Sequence, residues 1–317
     1  MANFKWARYW LLTSLLVLSL PSLGRADECS NMLDAFNAAV DAGRDADAQL
    51  LVDKIATNSI CGRMQAPVQR RLAAFRLRAA QDLMARGRPS QEYEKLLEEA
   101  DHPEVLWQAA ATLAEVRFGE RRFAQAAAGF DRAIETVKNE TLTPMAPSKF
   151  EIQELIDRAA QSRLLAANSG TADKGAMFVA TVSDQRDGKL GGVYSPSVRG
   201  IVLHALPLPI TFDYDESELT TIGEQAAREL LRAIQEQNPS KVIVVGHTDV
   251  RGGAEHNMKL SNERAQVVAA FLRQNGAKMP IEAAGVGANE PLHIADSAGL
   301  TQDDIYALNR RVEWRRE

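Results

Sequence analysis

Seven residues near the C-terminal end, Lys-Val-Ile-Val-Val-Gly-His (Lys241–His247), limit the fold more than any other stretch of the chain. A run this apolar and β-branched, closed by glycine, is expected in a short strand buried on both faces, and such a strand needs covering elements on each side. The surrounding sequence supplies them. Pro209–Tyr214 reads as a short strand, and Leu219–Gln237 as a helix burying Ile222, Ala226, Leu230, Leu231 and Ile234. Leu260–Gln274 is a second helix and Ile281–Gly287 a third strand. A short helix over Gln302–Leu308 leads into Arg310–Arg316, whose alternation predicts a one-sided or edge strand. Strands alternating with crossover helices predict a βαβαβ(α)β two-layer α/β sandwich over residues 206–317.

Upstream, residues 27–168 keep a helical period, with alanine-rich apolar stripes at spacings of three and four. Gly43, Cys61-Gly62, Pro67, Gly87-Arg88-Pro89, His102-Pro103, Arg121-Arg122, Thr143-Pro144 and Ala146-Pro147 interrupt it. The interruptions recur at roughly 35 residues, the spacing of stacked helical hairpins. In one hairpin Leu113-Ala114, Phe123, Ala126, Phe130 and Ala133 fall where a tetratricopeptide repeat places its small and large packing residues. That resemblance implies a tetratricopeptide-like array of α-hairpins; the other hairpins match it poorly. Residues 169–205 mix Gly, Asp and Ser with short β-prone runs and read as a linker carrying one or two short strands.

The first 26 residues read differently again. Lys5 and Arg8 precede an apolar run from Trp10 to Leu20, followed by Pro21 and a Gly24-Arg25-Ala26 end with small residues at its first and third positions. This predicts a secretory signal peptide cleaved after Ala26, the run being shorter than the roughly 20 residues that span a bilayer. No transmembrane span is then expected in the mature chain, whose formal charge moves from −5 to −8 on loss of Lys5, Arg8 and Arg25. An acidic chain argues against non-specific binding to nucleic acid or to an anionic membrane surface. Export also bears on the two cysteines, Cys29 and Cys61. Ser30–Ala42 and Asp45–Thr57 read as equal helices joined at Gly43-Arg44. An antiparallel hairpin brings the start of the first to the end of the second, so a Cys29–Cys61 disulfide is expected.

One segment of the C-terminal region carries charges where packing would prefer carbon. Leu260, Val267, Val268, Phe271 and Leu272 form the apolar face of the second helix. Arg264 lies four residues from both Leu260 and Val268, on or beside that face, where a guanidinium is costly unless paired. Asp249 follows the buried strand at its carboxyl end, where open α/β sheets bind ligands. Gly252-Gly253 frees the backbone between them, and Asn257 is placed to cap the helix or hold the loop. The pattern fits two arrangements equally: a structural Asp249–Arg264 salt bridge, or a pocket offering one carboxylate and one guanidinium to a zwitterion.

The segment Pro209–Arg316 resembles the OmpA-like C-terminal domain, closest in form to the peptidoglycan-associated lipoproteins. The resemblance rests on Phe212–Asp215, Gly246–Asp249, Arg251-Gly252, Asn257, Leu260-Ser261, Arg264-Ala265 and Asn309–Glu313, about a third of the chain. It implies non-covalent binding of peptidoglycan through meso-diaminopimelate of the stem peptide. Asp249 would accept from the ammonium, Arg264 would take the carboxylate as a charge-assisted pair, and Asp213, Thr248, Asn257 and Arg310 or Arg311 would line the pocket. Thr220-Thr221 and Tyr214 depart from the commonest family residues, at positions the family does not use for binding. The transmembrane β-barrel of full-length OmpA has no counterpart in the sequence before the domain.

The expected function is therefore that of a non-catalytic Gram-negative envelope protein. It would be periplasmic on the outer-membrane side, bound to peptidoglycan, and present its helical half to a periplasmic or outer-membrane protein. No cofactor is expected. A metal site at His247, Asp249 and His256 has only loose spacing, and no nucleophile elbow, zincin helix or phosphate loop is found. The competing expectations are a wall-modifying enzyme anchored by the same module, which needs a catalytic constellation within residues 27–205, and a pure interaction adaptor whose C-terminal domain has lost its ligand.

Overall fold

The computed structural model describes residues 26–102, 104–169, 194–212, 216–294, 297 and 299–316. The expected signal peptide, apart from Ala26, lies outside the described residues, as do Asp213 and most of the expected linker. The chain divides into two compact units between Val116 and Arg117.

In the first unit, α1 (Ala26–Asp41) and α2 (Asp45–Thr57) form the expected hairpin, turned at Gly43 with a left-handed φ of 71°. Cys29, in the first turn of α1, is bonded to Cys61 beyond the end of α2, with their Cα atoms 5.5 Å apart. Phe36, Val52, Ile55 and Cys61 build a core with Val68 and Leu72 of α3 (Gln65–Ala85). Pro67 does not break the chain as expected. It sits in the first turn of α3, where a backbone N–H has no intrahelical acceptor to lose. Arg76 of α3 is buried and grips both oxygens of Asp45, Nε to Oδ1 at 2.7 Å and Nη2 to Oδ2 at 2.9 Å, which locks α3 to the start of α2. A second core joins Leu77 and Ala80 to Leu97 and Ala100 of α4 (Glu94–Asp101) and to Ala109, Leu113 and Val116 of α5 (Trp107–Gly119). Of the six residues placed like those of a tetratricopeptide repeat, Leu113 and Ala114 are buried in this unit, and Phe123, Ala126, Phe130 and Ala133 are buried in the second.

The second unit contains α6 (Phe123–Lys138), α7 (Lys149–Asn168) and the α/β domain. A two-stranded ribbon, β1 (Ser197–Val198) with β2 (Ile201–Val202), precedes a four-stranded sheet in the order β3-β6-β4-β5. Its strands are β3 (Ala205–Leu208), β4 (Val242–Gly246), β5 (Ile281–Gly285) and β6 (Val312–Arg316). The β4–β5 pair is parallel, and β6 runs antiparallel to both β4 and β3. Between them run α8 (Thr221–Gln237), α9 (Ala254–Gln274) and α10 (Gln302–Asn309).

Two sequence expectations shift. The first strand lies at 205–208, not at 209–214: Pro209 cannot donate to a ladder and ends it, whereas Pro207 is tolerated because β3 is an edge strand. The last strand, expected at an edge or with one exposed face, is interior, flanked on both sides and burying Val312, Glu313 and Trp314. Its flanking arginines hid that position in the sequence.

Helix α9 lies directly on a row of glycines. Gly246 and Gly285 face each other across the β4–β5 register. A Cβ on either would come within 3 Å of the backbone of Ser261 or Asn262. The Ser261 hydroxyl completes the seam, accepting from Gly287 N and donating to Met258 O, each at 2.9 Å. Gly246→Ala is expected to lower stability by about 1–3 kcal/mol through overpacking against backbone. Gly119→Ala, where an added Cβ meets nothing within 4 Å, should stay within about 0.5 kcal/mol of the parent. Urea denaturation of the two variants reads the difference; equal midpoints would show that the seam yields.

Candidate functional site

The loop after β4 owes its shape to one asparagine. Asn257, in the first turn of α9, donates from Nδ2 to the carbonyls of Asp249 (3.2 Å) and Arg251 (2.9 Å). Of its two expected uses it takes loop-holding; the helix itself begins at Ala254 behind Gly253, six residues before the sequence expectation. Gly252, directly after the second held carbonyl, has φ of 88°, which a side chain would strain.

Asp249 is buried, and its carboxylate is held by two arginines. Arg251 returns across the turn, with its backbone N–H on Oδ1 at 2.9 Å and Nη2 on Oδ2 at 2.7 Å. Arg310, at the end of α10, donates Nη1 to Oδ2 at 2.8 Å. Burial alone raises the pKa of Asp249, but donation from Arg251 and Arg310 outweighs it and brings the value down to about 2. The Arg251 guanidinium lies 4.4 Å over the Tyr306 ring.

Arg264 is also buried, as its helical register requires. Its Nε donates to Glu216 O at 3.0 Å, and the guanidinium lies 4.9 Å from the Phe212 ring centre. Phe212 is fixed by a bridge to Leu219, and the neighbouring Thr211 contacts the helix-capping hydroxyl of Thr220. Thr248 is buried, its backbone N–H on Gly287 O at 3.0 Å and its hydroxyl without a hydrogen-bond partner.

Of the two candidate arginines in Asn309–Glu313, only Arg310 reaches Asp249. Arg311 turns the other way, and its Nε and Nη2 grip Glu313 Oε1 at 2.9 and 2.6 Å. His247 Nε2 stands 3.3 Å from Glu313 Oε2, and Arg315 Nε donates to that oxygen at 3.2 Å. Arg311 Nη2 and His247 Nδ1 both lie 3.2 Å from Glu290 O, tying the segment after β5 to the sheet. Arg311 is thus part of a buried scaffold. Among the described residues no cluster of three or more His, Cys, Asp or Glu side chains is placed to hold a metal, and no helix is long and apolar enough to cross a membrane.

Sequence reasoning missed Arg251 and the two rings under the arginines, Phe212 and Tyr306. The signal for Arg251 was present: an aspartate at a turn accepts from the backbone two residues on, which brings that residue's side chain back over it. Nothing in the sequence pairs Tyr306 with Arg251, because 55 positions separate them.

The segment that carries Asp249, Asn257 and Arg264 matches a known family. Residues 211–302 match the family model described as the OmpA family. Over 109 residues the chain is 32% identical to Probable lipoprotein YiaD of Escherichia coli, covering 34% of this chain and 48% of that one. Over 105 residues it is 31% identical to the Peptidoglycan-associated lipoprotein of Legionella pneumophila, covering 32% and 56%. It is also 34% identical over 143 residues to Photosystem I P700 chlorophyll a apoprotein A2 of Gloeobacter violaceus, covering 44% and 16%. The chain thus spans between 16% and 56% of the length of these relatives. The C-terminal part of the chain is an OmpA-like domain, homologous to that of peptidoglycan-associated lipoproteins.

Three carboxylates of this unit, Asp249, Asp304 and Glu313, have pKa values lowered to about 2. Burial opposes the shift of Glu313, and His247 and Arg311 override it; Arg121 lowers that of Asp304. A depressed folded-state pKa contributes stability that is complete above the unfolded value, near 4, and is lost as pH falls toward 2. The urea midpoint should therefore be level from pH 7 to about 4.5 and fall steeply from about 4 to 2. Glu313→Gln should flatten that fall; an equal slope in parent and variant would refute the assignment.

Proposed function

We propose that this chain is a non-catalytic envelope protein that binds peptidoglycan through residues 206–317. Asp249 and Arg264 together take the ammonium and carboxylate of meso-diaminopimelate. The coincidence of the matched segment with a buried, ionised carboxylate at the end of a central strand carries this reading. Asp249 already accepts from two arginines whose side chains are partly exposed. An incoming ammonium exchanges with a side-chain donor already in place, so no buried charge is left bare at any step. Arg264, backed by the Phe212 ring and oriented by Glu216 O, presents a pre-placed guanidinium for the carboxylate. Asn257 and Thr248 shape the pocket and Arg310 faces it; Asp213, outside the described residues, is assigned to the same ligand by the resemblance alone.

Residues 27–168 would act as a tetratricopeptide-like scaffold for another envelope protein, following a signal peptide that ends at Ala26, with residues 169–205 as the connection. The role is binding alone, and it requires no cofactor.

Sedimentation with purified sacculi tests the reading. Removing either charge-assisted partner should weaken retention about 10- to 100-fold, so Asp249→Ala and Arg264→Ala are expected in the supernatant while Arg311→Lys, away from the pocket, stays with the wall. Folded Asp249→Ala and Arg264→Ala proteins that sediment like the parent would place the pocket elsewhere.

A further inference from the structure

A cavity of about 300 Å³ lies between α7 and the edge strand β3. None of its lining residues belongs to the Asp249 site. Its apolar walls come from Ile156 and Ala160 of α7, from Val202 and Leu206, and from Leu292. Its polar groups are mostly acceptors, and several have unspent capacity. Asp157 receives one side-chain donation, from Gln153 Nε2 to Oδ1 at 2.8 Å. Gln161, one helical turn further on the same face, is 97% buried, and its Oε1 has no hydrogen-bond partner. A buried amide oxygen left so costs free energy that a donor would recover.

The sheet edge adds two more acceptors. Arg316 N donates to His204 O at 2.8 Å, and His204 lies opposite Arg316 in the β3–β6 register. Alternate residues of an antiparallel ladder carry the bonds, so Leu206 and Leu208 bond to β6, and the carbonyls of Ala205 and Pro207, both in the lining, point away from it at the open edge of the sheet. Pro207 has no N–H to offer there. The arginines of α7 are committed elsewhere, Arg158 over the Phe118 ring at 4.0 Å and Arg163 to Asp131. His204 and His293 complete the wall, His293 near enough to Asp157 to counter the upward pull of burial on its pKa.

We propose that this cavity is a second ligand site, taking a primary alkylammonium group: the charged end between Asp157 and Gln161, the aliphatic stem along Ile156, Leu206 and Leu292. Three ammonium hydrogens match the carboxylate, the amide oxygen and an edge carbonyl, and about 300 Å³ is the lower end of small-ligand pockets, suited to one such chain. The group could come from a free diamine or from a lysine side chain of a protein partner, and the two are separable by experiment.

Titration calorimetry of the full-length chain, with imidazole NMR signals of His204 and His293 followed in parallel, tests the site. The probes are 1,5-diaminopentane, N-acetyl-lysine amide, hexan-1-ol and hexanoate. Both amines are expected to bind and to shift the His204 and His293 signals, while the alcohol and the carboxylate do neither. Tighter binding of the diamine identifies a free polyamine as the ligand, and tighter binding of the blocked lysine identifies a protein side chain. Asp157→Asn should weaken amine binding at least about 10-fold with sacculus retention unchanged. If that variant misfolds, Gln161→Leu decides, with a loss of several-fold expected. Binding of hexanol or hexanoate as strong as that of the amines, or amine affinity unchanged in a folded variant, overturns the proposal.

Discussion

The close approach of α9 to the β4–β5 pair is the constraint on which the rest of the C-terminal site depends. A helix normally stands about 10 Å off a sheet because side chains separate them. Here two paired glycines remove those side chains, and the helix backbone settles onto the strands. That close approach fixes the rotation of α9 about its own axis, and rotation decides everything that follows. With Ser261 on the seam, Asn257 one turn earlier faces the loop and Arg264 three residues later faces Phe212. A larger residue at either glycine would lift the helix and move all three groups together.

Charge placement then follows from backbone geometry at the sheet's end. Arg310 and Arg311 are adjacent, yet one serves Asp249 and the other Glu313. The chain bends tightly at Arg310, with φ of −81° and ψ of 77° and Arg311 N donating to Asn309 O at 3.0 Å, so two neighbouring cations supply two separate sites. The Glu313 cluster is the more enclosed: His247 and Arg311 are buried beside the carboxylate, Arg315 alone is partly exposed, and together they brace the segment after β5. The Asp249 cluster is open to solvent through the partly exposed Arg251 and Arg310. An enclosed cluster resists exchange because any departure strands a buried charge; an open one permits a cation to be replaced.

The sequence revealed most clearly those elements whose pattern is local. The β4 run, the periods of α8 and α9, the α1–α2 hairpin and the Cys29–Cys61 pairing each depend on residues within one or two turns of each other or on hairpin symmetry. The misplaced features depend on neighbours remote in sequence. Pro207 looks like a breaker until β3 is known to be an edge, and β6 looks half-exposed until β3 is known to pair with its far side. At the site, Asp249, Asn257 and Arg264 were legible from their places at a strand end and on a helix, and Arg310 only as one of two arginines that the resemblance offered. The Tyr306 and Phe212 surfaces beneath two of the arginines were not, because an aromatic on a short helix or in a loop has no period to betray what it supports.

Helix α10 links the site to the helices that precede the α/β domain within the same compact unit. It has eight residues, a length of about 12 Å, and charge pairs hold both of its ends. At its start Asp304 closes a capping box with Thr301 and takes a bidentate pair from Arg121, both bonds at 2.8 Å. At its end Arg310 reaches Asp249, and Tyr306 between them supports Arg251. A helix this short gains little stability from its own hydrogen bonds, so its position is set by these end interactions and by Leu308 in the core. The cations around Asp249 are therefore positioned partly by Arg121, a residue of the α5–α6 turn. That turn holds Arg121 at a left-handed φ of 62°, a cost that persists only where surrounding interactions outweigh it. The bidentate grip on Asp304 is such an interaction, and through α10 it makes the geometry of the Asp249 site a property of α6 and α7 as well as of the sheet.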